Sequence, residues 1–319
     1  MTATATTSGL TSTPPSSPPT RWWRKKSVWI WGFLTPTIVL YGFYTLYPII
    51  GSYWYSLVEW NGFDAQKTFI GIQNYRDVLT DPLFWNAFKV TAIFVVVAVP
   101  IKIVLTLGTA LLLNSPKMPL ANLFRTMLFL PVVTTTAIVG IVMQMIFDPA
   151  SGPVNQILVK LGLVDSGISF LADPGTALWT VIAVDVWKWF GITMVYWLAA
   201  LQTIPRELYE AAWMDGAGVW STFKHVTFPL LKPFAIIISL LELEGALKIF
   251  DLMLTMTNGG PFYSTEVVEI YIYRWAFAAT VPQLGYASAA AVTFGIVVCA
   301  IGALQLLGVQ AVRKHRAAV

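Results

Sequence analysis

The chain has almost none of the residues from which redox, metal and acid–base chemistry are built. Its 319 residues include one cysteine, Cys299, so no disulfide can form within the chain. The two histidines, His225 and His315, lie in polar segments and cannot assemble a metal site with a cysteine set in an apolar run. The pattern G-x-x-x-x-G-K-[ST] is missing, which excludes ATP binding through a P-loop. Neither G-x-S-x-G nor H-E-x-x-H occurs, so two common hydrolase signatures are missing too. An integral-membrane enzyme would need a nucleophile, a metal or an acid–base cluster, and none is visible. Charge is also scarce. Asp, Glu, Lys and Arg make up 11% of the residues, against about 25% in soluble domains.

Apolar residues fill the space that charge leaves. They account for 56% of the chain, and the mean hydropathy is +0.68. Six runs reach the ~20 residues needed to span a bilayer: 28–50, 88–113, 124–147, 176–200, 234–256 and 287–309. The expected fold is therefore an all-α integral membrane protein with six transmembrane helices. Pro36, Pro100 and Pro131 fall inside runs and predict kinks whose freed carbonyls need donors from neighbours. Residues 1–26 form a Thr/Ser/Pro-rich tail with a basic end at Arg21, Arg24, Lys25 and Lys26; such a tail cannot bury a core and is expected to be disordered. A secretory signal peptide fits poorly, because the following run is long and lacks a small-residue cleavage pattern. Residues 27–312 form the membrane domain, and 313–319 a short basic tail.

Lys and Arg set orientation. With the N-terminus inside, the inner segments carry Arg21, Arg24, Lys25, Lys26, Lys117, Arg125, Arg206, Lys224, Lys232, Arg313, Lys314 and Arg316. The outer segments carry only Lys67, Arg76, Lys160 and Arg274. This predicts six spans with both termini cytoplasmic. The net charge of +4 then describes orientation in lipid and gives no reason to expect nucleic-acid binding.

The polar segment 201–233 falls inside. Pro205 suits the first turn of a helix, Gly216 and Gly218 turn the chain, and 219–226 predicts a second short helix ended by Pro229 and Pro233. Glu210, Ala211, Ala212, Asp215, Gly216, Ala217, Val226, Phe228 and Pro229 stand at spacings that resemble the EAA loop of binding-protein-dependent ABC importer permeases. Val226 and Phe228 stand where that family prefers Ile and Leu. The flanking AALQTIP, DGAG and FPLLKP, and TNGGP at Thr257 to Pro261, resemble the carbohydrate-uptake branch, and the likeness runs from Ser27 to Val309. It implies the type I ABC importer permease fold in a prokaryotic inner membrane. It also implies a second homologous permease, two ATPase subunits that bind ATP and Mg, and an extracytoplasmic sugar-binding protein. Glu210 would accept from the ATPase, Gly216 would permit the turn, small Ala211, Ala212 and Ala217 would allow close approach, and Val226 and Phe228 would anchor. A permease for glycerol phosphate or a glycerophosphodiester shares the branch. An ion-coupled secondary transporter remains the rival from another class, since the runs contain acids.

Those intramembrane charges admit two readings. Asp185 and Lys188 are three apart on one helical face, and Glu244, Lys248 and Asp251 fall within roughly 60° on another. They can form pairs, Asp185–Lys188 and Glu244–Lys248, buried between helices. Alternatively they line a substrate pathway with Gln144, Trp187 and Phe250, and with Trp189 and Tyr196, whose rings could stack on sugars. Glu242 points nearly opposite Glu244 and needs its own partner, and Lys102 lies deep in the second run. Thr134, Thr135 and Thr136 make the third run locally polar. Residues 266–277 predict an amphipathic helix lying along the outer surface.

Overall fold

The computed structural model describes residues 21–115 and 118–317, with side chains described for 27–115 and 118–305. The N-terminal tail and Lys117 lie outside the described residues, as do the side chains of the basic clusters at 21–26 and 313–316. The chain divides into two compact units, residues 1–51 and 52–319. In the first, α1 (Arg21–Tyr41) runs through a five-residue π-helical turn into α2 (Tyr47–Tyr55). Ser27–Tyr55 is long and apolar enough to cross a membrane, and none of its residues is buried.

The second unit opens with a two-residue ribbon, β1 (Val58–Glu59) antiparallel to β2 (Thr68–Phe69), and the short α3 (Gln73–Thr80). Asp81 and Pro82 then start α4 (Pro82–Leu113). The Asp81 carboxylate accepts the Leu83 amide at 2.8 Å, and proline suits a first turn because its missing N–H would be unpaired there anyway. The third run is not one rod. It forms α5 (Ala121–Val133) and α6 (Thr136–Ile146), which meet at 99°. After α7 (Pro153–Lys160), α8 (Ala177–Gln202) is apolar nearly all round and therefore becomes the central helix. Val181, Met194, Trp197 and Leu201 on different faces of it are all at most 2% exposed.

α9 (Arg206–Met214) and α10 (Val219–Thr222) follow. The expected stop at Pro229 and Pro233 does not occur. A π-helical turn at Phe223–Thr227 carries the chain straight into α11 (Phe228–Leu247). Pro229 sits in the first turn of α11, where no N–H is needed, and Pro233 lies one turn further in. The helix that carries the fifth span thus runs over Val219–Leu247. It stops where a continuous helix to Met256 was expected. Lys248 (φ −113°, ψ 46°) breaks it, and α12 (Phe250–Met256) restarts the chain.

α13 (Val268–Tyr273), extended by a π-helical turn at Arg274–Ala278, corrects the expected surface helix. Val268, Ile270 and Tyr271 are at most 3% exposed, because α13 packs against α4 and the last helix, α14 (Leu284–Ala317). The Tyr271 hydroxyl donates to the Asp81 carboxylate at 2.5 Å, and the Tyr286 hydroxyl donates to the same oxygen at 3.1 Å. One acid thus ties the starts of α4 and α14 to α13. Among the described residues, five helices are long and apolar enough to span, and there are six spans if the bent α5–α6 pair counts as one.

Candidate functional site

Three places concentrate polar chemistry. The first is a buried charge cluster between α4, α8 and α11. Lys102 lies 2.9 Å from Asp185 and 3.1 Å from Glu242. The Thr193 hydroxyl donates to the other Glu242 oxygen at 2.5 Å. All four side chains are buried. Glu242 does have its own partner, as its helical angle requires. The expected Asp185–Lys188 pair does not form. Asp185 turns to Lys102, and the Lys188 ammonium donates to backbone carbonyls of Thr134 (2.7 Å), Pro131 (3.0 Å) and Val132 (3.4 Å). These carbonyls lie at and just past the end of α5, where helical donors run out; the Pro131 carbonyl also accepts from the Thr134 amide (3.3 Å) and hydroxyl (2.7 Å). Lys188 is 0% exposed, so as the chain stands it does not line an open path.

The second place is the break in the fifth span. Lys248 and Glu244 pair at 2.6 Å, but their side chains are 62% and 57% exposed, so this is not the buried pair that spacing suggested. Asp251 follows the break in the first turn of α12 and is exposed. Glu269 of α13 faces this break. Burial pushes its carboxyl up to about 7, while the Phe250 amide and Lys248 act in the opposite direction. The Phe250 ring packs edge-on against Tyr273 at 5.3 Å. Nothing in the sequence marks Glu269 as a neighbour, because the contact arises only from how α13 folds back. Trp187 and Tyr196 are exposed on α8, Trp189 lies under Lys188 at 4.7 Å, and Gln144 donates to the Met256 carbonyl at 3.1 Å. The structure therefore does not gather Trp187, Tyr196, Gln144 and Lys248 around one point.

Beyond α6, a cleft of about 580 Å³ is lined by Gln144, Asp148, Ser151 and Pro153. The Ser151 amide and hydroxyl, with the Ala150 amide, hold the Asp148 carboxyl below the usual carboxylate range. A second cleft, about 530 Å³, adjoins the TNGGP turn and is lined by Asn258, Tyr263, Glu266 and Arg274. Burial lifts the Glu266 carboxyl to about 7 even with Arg274 at 2.9 Å.

The third place is the hairpin of α9 and α10. Ala217 N–H reaches back to the Ala212 carbonyl (2.9 Å) and Gly216 N–H to the Trp213 carbonyl (3.0 Å), a Schellman closure. Gly216 has φ +76°, which only glycine adopts without cost. Glu210, Ala211, Asp215 and Pro229 are exposed, while Ala212, Ala217 and Val226 are half-buried. Trp213, Met214, Val219 and Trp220 are 60%, 87%, 88% and 74% exposed, and Phe228 is 44% exposed. Large side chains bared together around a polar turn mark a contact surface.

The family described as the binding-protein-dependent transport system inner membrane component matches residues 102–314. The lactose transport system permease protein LacF of Rhizobium radiobacter is 37% identical over 277 residues, covering 86% of this chain and 92% of that protein. A bacterial ABC transporter for import of the acidic polysaccharide alginate has a chain of the same fold, with a TM-score of 0.77, 23% identity, and coverage of 91% of this chain and 99% of that one. The alginate transporter bound to its pentasaccharide-loaded periplasmic protein superposes with a TM-score of 0.75 at 22% identity, covering 89% of this chain and 95% of that one. The family match over residues 102–314 and the likeness to LacF, on a chain built of apolar spans, lead to one assignment: the chain belongs to the binding-protein-dependent transport system inner membrane components, the multi-pass, non-catalytic permease subunits of ABC importers.

Proposed function

We propose that this permease imports a sugar or short oligosaccharide delivered by an extracytoplasmic binding protein, working beside a second homologous permease and two ATPase subunits. With the bent pair counted as one span the chain crosses six times and both termini lie in the cytoplasm, a reading the Lys and Arg bias supports. The observation that carries the reading is the α9–α10 hairpin, which leaves Glu210 free and bares Trp213, Met214, Val219 and Trp220. Glu210 accepts from a cationic or amide donor of the ATPase, and the four apolar side chains fill its groove. α11 is continuous with α10 through the π-helical turn, so displacement of the hairpin is delivered to the fifth span without a flexible linker. ATP-driven closure of the ATPases then switches the spans between inward-open and outward-open states by alternating access. The relative named for lactose supports a saccharide as cargo.

The ion-coupled rival needs an intramembrane acid free to bind an ion. Asp185 and Glu242 are instead held by Lys102. A phosphorylated polyol keeps one argument, the accessible ammonium of Lys248. The coupling assignment is tested by Glu210→Lys and Gly216→Pro in the assembled importer. Both should abolish uptake and loosen copurifying ATPase while membrane insertion persists. Normal uptake in both variants would refute it.

A further inference from the structure

We propose that Lys188 is a positioning residue that sets the angle of the third span. Its ammonium adds donors at the carbonyls of Val132 and Thr134 and joins the Thr134 amide and hydroxyl at the Pro131 carbonyl, and so fixes how α6 leaves the bend. Three features support this. First, the ammonium meets three carbonyls of one bend, Pro131, Val132 and Thr134, and the Thr134 carbonyl lies in the joint itself, beyond the last residue of α5. A cation at a helix C-terminus also complements the dipole there. Second, among the described residues Lys188 has no acid within ion-pair distance, since Asp185, one turn away on α8, is engaged by Lys102 and acts on Lys188 only through space. The hydrogen bonds that solvate its charge are therefore those to the carbonyls of the bend. Third, the bend joins two differently anchored arms. α5 lies against α8 so closely that a Cβ on Gly191 would come within 2.5 Å of the Leu128 carbonyl. α6 belongs to α12 instead: Gly140 packs against the Thr255 side chain, and Gln144 donates to the Met256 carbonyl. Lys188 reaches from the α8 side into the joint between these arms. What it positions is the exposed Thr134 and Thr135 and the half-buried Thr136, together with the whole of α6.

The test uses the assembled, nucleotide-free importer in lipid nanodiscs, with Cys299→Ser and the partner subunits free of reactive cysteines. Spin labels replace Met127 on α5 and Met145 on α6, both exposed, and the distance between them reports the bend. The parent should give one narrow distance. Lys188→Met, similar in length but without donors, should add a second, longer population, and uptake should fall with it. Lys188→Arg, which restores donors, should return the single distance. A variant without its ammonium but with an amide, Lys188→Gln, serves if Lys188→Met does not assemble. An unchanged distance without the ammonium, or a change that Lys188→Arg leaves uncorrected, overturns the proposal. Failure of both Lys188→Met and Lys188→Gln to assemble also overturns it, because anchoring of α5 by Gly191 should survive the loss of the ammonium.

Discussion

Two regions of the membrane domain contain the same kinds of charged residue and use them in opposite ways. Around α8, Lys102, Asp185, Lys188 and Glu242 are all buried, and every charge has a partner: two acids share Lys102, and three carbonyls surround Lys188. At the break in the fifth span, Glu244, Lys248 and Asp251 are exposed, and their ion pair links neighbours on one helix turn rather than two helices. The first region fastens helices that lie far apart in sequence. The second fastens little and leaves its charges available to a solute. Charge within an apolar run is costly in lipid. In one region that cost is offset by neighbouring helices, and in the other only contact with water or a polar cargo can offset it.

The largest expected effect tests the fastening role. Lys102→Met leaves Asp185 and Glu242 side by side without a cation. Breaking a buried ion pair costs about 3–5 kcal/mol, so the variant should lose much of its thermal stability and assemble poorly. The triple change Lys102→Met, Asp185→Asn, Glu242→Gln should recover most of that loss, because no charge is then left unpaired. Melting of purified complexes and the yield of copurified ATPase measure both. A stable single variant would place this region in the same class as the fifth-span break and end the contrast. Lys248→Ala is the matching change on the other side. An exposed pair contributes about 0–1 kcal/mol, so melting at pH 5, where Glu269 is protonated, should hardly move, while uptake falls. Failure of assembly would make Lys248 a structural residue.

The sequence distinguished these regions poorly, for identifiable reasons. The angle of Glu242 was readable from helical periodicity, and so was its need for a separate partner. The turn at Gly216 was readable because glycine is the residue a left-handed closure demands. Lys188 was misassigned because backbone carbonyls have no letter in the sequence; an acid three residues away looked like the better partner. Pro131 did signal a disturbance in the third span, though not that the chain would turn through 99°. The fifth-span break had only a weak signal. Gly245 lies one turn ahead of it and its carbonyl accepts the Lys248 amide, but Lys248, Ile249 and Phe250 contain neither proline nor glycine, so a helical wheel runs through them unbroken. The burial of α13 was hidden for another reason: its amphipathic pattern suits a lipid surface and a protein core equally, and only the return of the chain onto α4 decides between them. The continuation of α10 into α11 was missed because Pro229 was read as a stop, when a preceding π-helical turn makes it the first turn of the next segment.

The smallest expected effect concerns Glu269, where the two regions differ most finely. It is a partly buried acid that reaches the exposed break, with a carboxyl pushed up to about 7 by burial. Its ordinary value is 4.5, so between pH 4.5 and 7 the folded protein holds a proton that the unfolded chain has released. Stability from this residue is therefore greatest at acid pH, declines as pH rises through that window, and is level above it. Glu269→Gln should flatten the dependence and leave melting at pH 5 almost unchanged, because a neutral amide resembles the protonated acid. Above pH 7 the parent carries an ionised Glu269 facing Asp251 across the break, with Lys248 as the one neutralising charge nearby. Combining Lys248→Ala with the native Glu269 should therefore extend the decline above pH 7, and the double variant with Glu269→Gln should abolish it. If melting of Lys248→Ala levels off at the same pH as the parent, Glu269 does not sense the break, and its raised carboxyl belongs to the packing of α13 alone.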